Sequence, residues 1–252
     1  MSDLKIAIVT GASSGIGREF VKLLDKELMS LDEIWVIARR EDRLKALAKE
    51  VGTKLVSIEM DITSKEAVGV LAYLLKEKKP AVKLLINCAG FGKIGKVAEL
   101  PAEGQLSMVK VNCLALTELT LMVLPYMAKK SRIIQMASVA AFLPQPRFAV
   151  YAATKSYVLS FSRALNKELA DTGIRVTAVC PGPVKTEFFD LAEQTGSIPV
   201  YKKIVMADPE KVVRKAFYDS LAGKDMSVYG STMKALHVLT KILPHKSMLD
   251  FI

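Results

Sequence analysis

Six short apolar runs, separated by stretches with helical spacing, constrain this chain more than any other feature. They are Leu4 to Val9, Glu33 to Ala38, Lys54 to Glu59, Lys83 to Asn87, Arg132 to Ala137 and Ile174 to Cys180. Between them lie helical patterns, among them Lys65 to Glu77, a long one from about Glu103 to Lys129, and Tyr151 to Ala170. Strands that alternate with helices predict a parallel sheet covered on both faces, joined by right-handed crossovers. In such a doubly wound α/β fold, ligand groups gather at the carboxyl ends of the strands. Five strand ends supply them here: the glycine turn after Val9, Asp61-Ile62, Asn87 to Gly90, Ser138 and Pro181-Gly182.

The first run passes directly into Thr10-Gly-Ala-Ser-Ser-Gly-Ile-Gly17, ahead of a helical pattern formed by Phe20, Leu23, Leu24 and Leu28. Strand, glycine turn and helix make a phosphate cradle. Glycine lets the backbone approach a pyrophosphate closely, and free N–H groups at the helix start favour its charge. A Gly-x3-Gly-x-Gly spacing alone also suits an ordinary loop. About twenty residues on, where a carboxylate would bind the ribose 2′-OH of NAD, the chain has Ala38-Arg39-Arg40. Two guanidiniums can hold a 2′-phosphate by bidentate hydrogen bonds, which predicts NADP(H). The competing reading makes them solvated helix-opening residues, paired with Glu41 and Asp42.

Tyr151-Ala-Ala-Thr-Lys155 sets a phenol and an ammonium one helical turn apart, on one face. A free phenol titrates near pH ~10, and a neighbouring cation favours its ionised form. Tyr151 can then exchange a proton with a carbonyl or alcohol oxygen near neutrality. Ser138, thirteen residues upstream and just past a strand, can hydrogen-bond the same oxygen. Tyr and Lys one turn apart are also ordinary on helices, so the rest of the chain must support the chemistry.

A hydrophobic fraction of 51% over 252 residues can build a sizeable core, which predicts one domain over 1–252. No charge-free apolar run reaches the ~18 residues of a membrane span. The first residues lack a secretory pattern, which predicts a cytoplasmic protein. Cys88, Cys113 and Cys180 sit among apolar residues without metal-ligand spacing, so buried thiols are expected and a metal site is not. Two histidines, His237 and His245, give little support to a Ser-His or Cys-His nucleophile. The net charge of +10 raises a nucleic-acid or anionic-membrane reading, but acids interrupt the lysines as on a solvated face. No nucleic-acid partner is expected.

Together these pieces resemble the short-chain dehydrogenase/reductase family. The matching residues are Thr10 to Gly17, Asp61, Asn87 to Gly90, Asn112, Ser138, Tyr151 to Lys155 and Pro181 to Phe188, in that order over nearly the whole chain. The resemblance implies a Rossmann-type domain with a seven-stranded parallel sheet and helices on both faces. It implies a tetrad of Asn112, Ser138, Tyr151 and Lys155. Ser138 would orient the substrate oxygen, Tyr151 act as acid or base, and Lys155 lower its pKa and hold the nicotinamide ribose. Asn112 would position a water that feeds protons to Lys155. The cofactor would lie along Gly11, Ser13, Ser14, Gly15, Ile16, Gly17, Arg39 and Arg40. Asp61 and Ile62 would meet its adenine, and Asn87, Ala89 and Gly90 would line it. Pro181, Gly182, Val184 and Thr186 would border the nicotinamide. Cys88 departs from the family, which often has a second Asn there, and reads as a packing variation.

Substrate choice falls to the variable segments. Phe142, Leu143 and Phe148 precede Tyr151 in a proline-stiffened loop, and Phe188 and Phe189 open a stretch over 188–206 that suits a lid, with Leu191, Ile198 and Tyr201 in it. Both predict a small-molecule apolar carbonyl or alcohol substrate, although the same aromatics also suit core or subunit packing. The tail over 232–252 carries an apolar stripe that fits core, dimer interface or membrane surface, in that order. The chain is also similar to the branch acting on hydroxysteroids and fatty-acyl ketones. Alternatives are a reductase of 3-oxoacyl or small carbonyl substrates, or a non-catalytic NADP(H)-sensing protein. Excess apolar surface on the helices at Glu103 to Lys129 and Tyr151 to Ala170 predicts a homodimer or homotetramer.

Overall fold

The structure, a computed structural model, describes residues 4–28, 30–193, 195–196 and 206–249. In chain order the sheet strands are β1 (Lys5–Thr10), β2 (Glu33–Ala38), β3 (Lys54–Glu59), β4 (Ala81–Asn87), β5 (Met127–Met136), β6 (Arg175–Val179) and β7 (Met226–Ser227). The helices are α1 (Gly15–Glu27), α2 (Glu41–Ala48), α3 (Lys65–Lys78), α4 (Ala102–Val109), α5 (Leu116–Val123), α6 (Ala149–Glu168), α7 (Glu187–Glu193), α8 (Pro209–Leu221), α9 (Ser231–Ile242) and α10 (His245–Leu249). A π-helical segment, Lys110–Ala115, joins α4 to α5.

All seven strands are parallel, in the order β3-β2-β1-β4-β5-β6-β7. Winding reverses between β1 and β4, and that crevice is where ligands settle in an open α/β sheet. The fold is the seven-stranded Rossmann-like α/β arrangement expected from the sequence.

Strand alternation builds two cores. Ala7 and Val9 of β1 and Ile34 and Val36 of β2 join Phe20, Val21 and Leu24 of α1 and Phe217 of α8 on one face. Ile6, Ile8, Trp35 and Ile37 point to the other, against Leu71 and Leu75 of α3 and Leu119 and Val123 of α5. Both faces are dry, so the central strands read as continuous apolar runs. Ser64 caps α3 by accepting from the Ala67 N–H at 3.3 Å, and Asp208 caps α8 by accepting from the Glu210 N–H at 2.8 Å.

Two boundaries differ from the sequence reading by more than two residues. The long helical stretch ends at Tyr126, not Lys129, and β5 begins at Met127. Pro125 lacks the N–H that would bond the Leu121 carbonyl, and the chain tightens into a 3₁₀ turn over Leu124–Tyr126. Pairing jumps from Val82↔Met127 to Leu84↔Arg132, so residues between bulge out, with Lys130 at φ 60°. Lys129 and Lys130 therefore belong to a strand rather than to a helix face. Of the expected lid over 188–206, α7 covers the first part. Residues 194 and 197–205, Ile198 and Tyr201 among them, lie outside the described residues.

Candidate active site

The glycine turn can be made only from glycine at two points. Gly11 has φ +68°, and a Cβ on it would stand 2.8 Å from the Ala89 nitrogen. A Cβ on Gly17 would overlap the carbonyl oxygen of Gly11. This close approach is held by Thr10, which the sequence placed in the motif without a role of its own. Its buried hydroxyl accepts from the N–H groups of Cys88 and Ala89, each at 3.1 Å, and so ties the end of β4 to the turn. The turn opens into the N-terminus of α1, which no side chain caps.

Beside the turn, Arg40 donates to Ser14 Oγ at 2.8 Å and to Ser13 Oγ at 3.1 Å, and its other terminal nitrogen reaches Glu187 Oε2 at 2.9 Å. Arg43 holds the second oxygen of the same carboxylate. Glu41 pairs with Lys45 instead, so that suggested partner does not occupy Arg40. Arg39 is exposed next to it. Asp61 accepts from the N–H and hydroxyl of Thr63, at 2.8 and 2.7 Å. The Thr63 N–H is the main reason its carboxyl sits below the usual range, with Arg39 assisting.

The polar centre is assembled from four elements. Lys155, on α6 and 5% exposed, donates to the Met136 carbonyl at 2.7 Å. Burial lowers its ammonium pKa to about 8. Tyr151 lies one turn earlier, with the Lys155 nitrogen 5.7 Å from its ring centre. Phe148 stacks on that ring at 4.2 Å and Phe188 meets it at 5.4 Å. Burial raises the phenol's pKa above its ordinary value, and a hydrogen bond with Ser138 opposes the rise. The downward pull expected from Lys155 is absent from these causes; desolvation dominates, and the phenol is held protonated. Ser138 follows β5, its Oγ accepting from the Ala140 N–H at 3.1 Å.

Asn112 is fully buried in the π-helical segment. Its Oδ1 accepts from the Phe91 N–H at 3.1 Å, and its amide donates to the Phe91 carbonyl at 3.0 Å and to Thr154 Oγ1 at 3.1 Å. Thr154 in turn donates to the Tyr151 carbonyl at 2.7 Å, linking Asn112 to the helix that carries Tyr151 and Lys155. A Cβ placed on Gly90 would lie 3.0 Å from Asn112 Oδ1 and 3.5 Å from the Lys155 nitrogen, so these three converge.

A cleft of about 1530 Å³ runs along these groups. Its wall includes Gly11, Ser13, Ser14, Gly15, Ile16 and Gly17, and then Arg39, Arg40, Asp61, Ile62, Ala89 and Gly90. It continues past Ser138, Tyr151 and Lys155 to Pro181, Gly182, Val184 and Thr186. Leu143, Phe148, Phe188 and Phe189 flank its far end. Two expected wall residues face elsewhere. The Asn87 side chain, 2% exposed, donates to Thr120 Oγ1 at 3.1 Å and Gln135 Oε1 at 3.0 Å and serves the core under the sheet. Phe142 packs 4.3 Å from the His237 ring, in a cluster with Leu116 and Val158. The far wall also includes Met233, Leu236 and Leu239 of α9, so the tail's stripe lines the cleft. Core packing, interface and lining leave the same helical spacing, which is why the sequence did not single it out.

The chain matches the family model for short chain dehydrogenase over residues 5–196. It belongs to the short-chain dehydrogenase family. Within that family it is 34% identical over 184 residues to an uncharacterized oxidoreductase of Staphylococcus epidermidis, covering 72% of this chain and 79% of that protein. Its structure is similar to a short-chain dehydrogenase from Sphingobium yanoikuyae in complex with NADPH, with a TM-score of 0.79, 28% identity, and coverage of 96% of this chain and 97% of that one. It is also similar to an actinorhodin polyketide ketoreductase with NADPH, with a TM-score of 0.75, 28% identity, and coverage of 90% and 96%. This short-chain dehydrogenase is accordingly an oxidoreductase with a nicotinamide cofactor. The cradle that only glycine can form, Arg39 beside it, and the cleft leading to Tyr151 fit such a cofactor.

Proposed function

We propose that this protein is an NADP(H)-dependent reductase of apolar, bulky ketones, interconverting them with secondary alcohols. The observation that carries the reading is the convergence of Ser138, Tyr151 and Lys155 on one cleft that joins the glycine turn to an aromatic and aliphatic wall. The cofactor, when bound, supplies or accepts the hydride. Gly11 to Gly17 hold its diphosphate, Arg39 and Arg40 its 2′-phosphate, and Lys155 its ribose. Ser138 donates a hydrogen bond to the substrate carbonyl oxygen and fixes it beside Tyr151. Tyr151, kept protonated by burial, gives its proton to that oxygen as negative charge develops there. Asn112 fixes the pitch of α6 through Thr154.

The lining of the cleft supports this substrate class. Leu143, Phe148, Phe188, Phe189, Met233 and Leu236 give large apolar area and few charges, as a steroid-like or acyl ketone requires. We also propose one domain, cytoplasmic, acting as a homodimer. Leu106, Leu114 and Leu121 along the α4–α5 helix and Tyr157 on α6 are each more than 40% exposed, an apolar face that a second copy would cover. The same stretch, Ala102–Tyr126, is long and apolar enough to cross a membrane by composition, but Met108, Leu116, Leu119 and Val123 on its other side pack inward. The deciding experiment follows NADPH absorbance against bulky steroid-like, acyl and small keto substrates. Turnover of the bulky apolar ketones supports the reading, and turnover of small polar ketones alone would refute the substrate class.

A further inference from the structure

Glu187, the first residue of α7, lies 147 positions from Arg40 in sequence and touches it in space, outside the catalytic centre. Every nitrogen of the Arg40 guanidinium is already engaged: Nε and Nη2 with Ser13 and Ser14, and Nη1 with Glu187. Arg39, by contrast, is exposed on the same rim. A 2′-phosphate arriving there can take Arg39 directly, but on Arg40 it finds one unengaged N–H, on Nη1, and can grip Arg40 by two bonds only by displacing a partner. The two serine hydroxyls need not leave, because each accepts from Arg40 through its oxygen and keeps its own proton to donate onward. The Glu187 carboxylate must leave for that two-bond grip, and short of leaving it repels the phosphate, because both are anions seeking the same nitrogen.

We propose that Glu187 is a specificity-determining residue, an internal counter-anion that competes with the cofactor's 2′-phosphate for Arg40 and so sets how strongly NADP(H) is selected. The inference rests on the NADP(H) reading above. Arg43 makes the exchange feasible. It holds the other oxygen of Glu187, so the carboxylate keeps one ion pair after releasing Arg40 and is never stranded. Both arginines help hold the Glu187 carboxyl below its usual range, Arg43 the more. All three side chains are roughly two-fifths exposed, so the competition is modest and salt-sensitive.

The test uses 2′,5′-ADP and 5′-AMP, which differ by the 2′-phosphate alone and report binding without turnover. Glu187→Gln keeps the shape and removes the charge. It should tighten 2′,5′-ADP by about two- to fivefold at low salt, leave 5′-AMP within about 1.5-fold, and lose most of that gain at high salt. Arg43→Ala should act in the opposite direction, weakening 2′,5′-ADP, because Glu187 then leans wholly on Arg40. If Glu187 is only a structural tie between α7 and the turn, Glu187→Gln weakens both nucleotides together, and the competition is refuted. No shift for 2′,5′-ADP refutes it as well. A wild-type protein that binds the two nucleotides equally overturns the NADP(H) reading itself. A preference in wild type with no shift in Glu187→Gln overturns only the role of Glu187.

Discussion

Lys155 donates from its buried ammonium to the carbonyl of Met136, the last residue of β5, at 2.7 Å. A cation is thereby fixed under the cleft by backbone, with burial holding its pKa at about 8 against an ordinary value near ~10.4. Below pH ~8 both folded and unfolded chains carry this proton and the cost of burying it is complete. Between about 8 and ~10.4 the unfolded chain binds more protons, so stability rises with pH. Lys155→Met lacks the titration. Compared by urea unfolding at pH ~7.5 and ~9.5, wild type should gain on the variant, by at most about 3 kcal/mol over the full window. A pH-independent difference would contradict the buried-ammonium assignment.

Tyr151→Phe removes the hydroxyl and keeps the ring between Phe148 and Phe188. Melting temperature and NADPH binding should persist, while turnover falls by at least about 10²–10⁴-fold, the usual worth of general acid catalysis. A variant that keeps more than about a tenth of normal turnover, with chemistry rate-limiting, would take the acid's role from Tyr151.

Arg39→Ala should weaken NADPH binding by roughly 1.5–3 kcal/mol, the scale of a hydrogen bond to a charged group, and leave NADH nearly unchanged. Equal losses for the two cofactors in direct titrations would speak against 2′-phosphate recognition at this rim.

Two glycines should part company. Gly17→Ala drives a methyl into the Gly11 carbonyl, so cofactor binding should be lost even where the protein still folds. Gly69→Ala, in the exposed interior of α3 with nothing within 4 Å of the added carbon, should stabilise by up to about 1 kcal/mol. Thermal melts and NADPH titrations of the pair distinguish a cradle from a mere loop.

Leu114→Glu with Leu121→Glu places charge on the exposed apolar face, at positions 64% and 58% accessible. The monomer should fold unchanged, while light scattering should report half the wild-type mass. An unchanged mass would move the interface elsewhere.

Six of the seven strands, the glycine turn and the Tyr–Lys pair were legible in the sequence because each is a local pattern: a short apolar run, a fixed glycine spacing, or one helical turn. What was not legible depends on partners far along the chain. Met127 to Lys130 have helix-compatible composition, and only pairing with Val82 makes them strand. Asn87 looked like cofactor lining until Gln135 and Thr120 were seen to claim its amide. Phe142 differs from Phe148 by six positions, yet it turns to His237 of α9 while Phe148 stacks on Tyr151. The Arg40–Glu187 contact has no signature in either neighbourhood. The stripe of α9 carried the right residues, but spacing alone does not say which surface a helix faces.

The π-helical stretch at Lys110–Ala115 makes residue number, as distinct from residue type, a requirement of the proposed catalytic centre. Such a stretch is what an α-helix becomes when it takes in one extra residue without moving its ends. Removing one of the five other than Asn112 would let the coil close to regular winding with its ends in place and turn the residues inside it, Asn112 among them, by up to about 100°. Asn112 would then lose its alignment with Phe91 and Thr154, although each amino acid it bonds to was still present. A one-codon deletion there would damage chemistry far more than folding, whereas most point changes on the outer side of the same stretch would pass unnoticed.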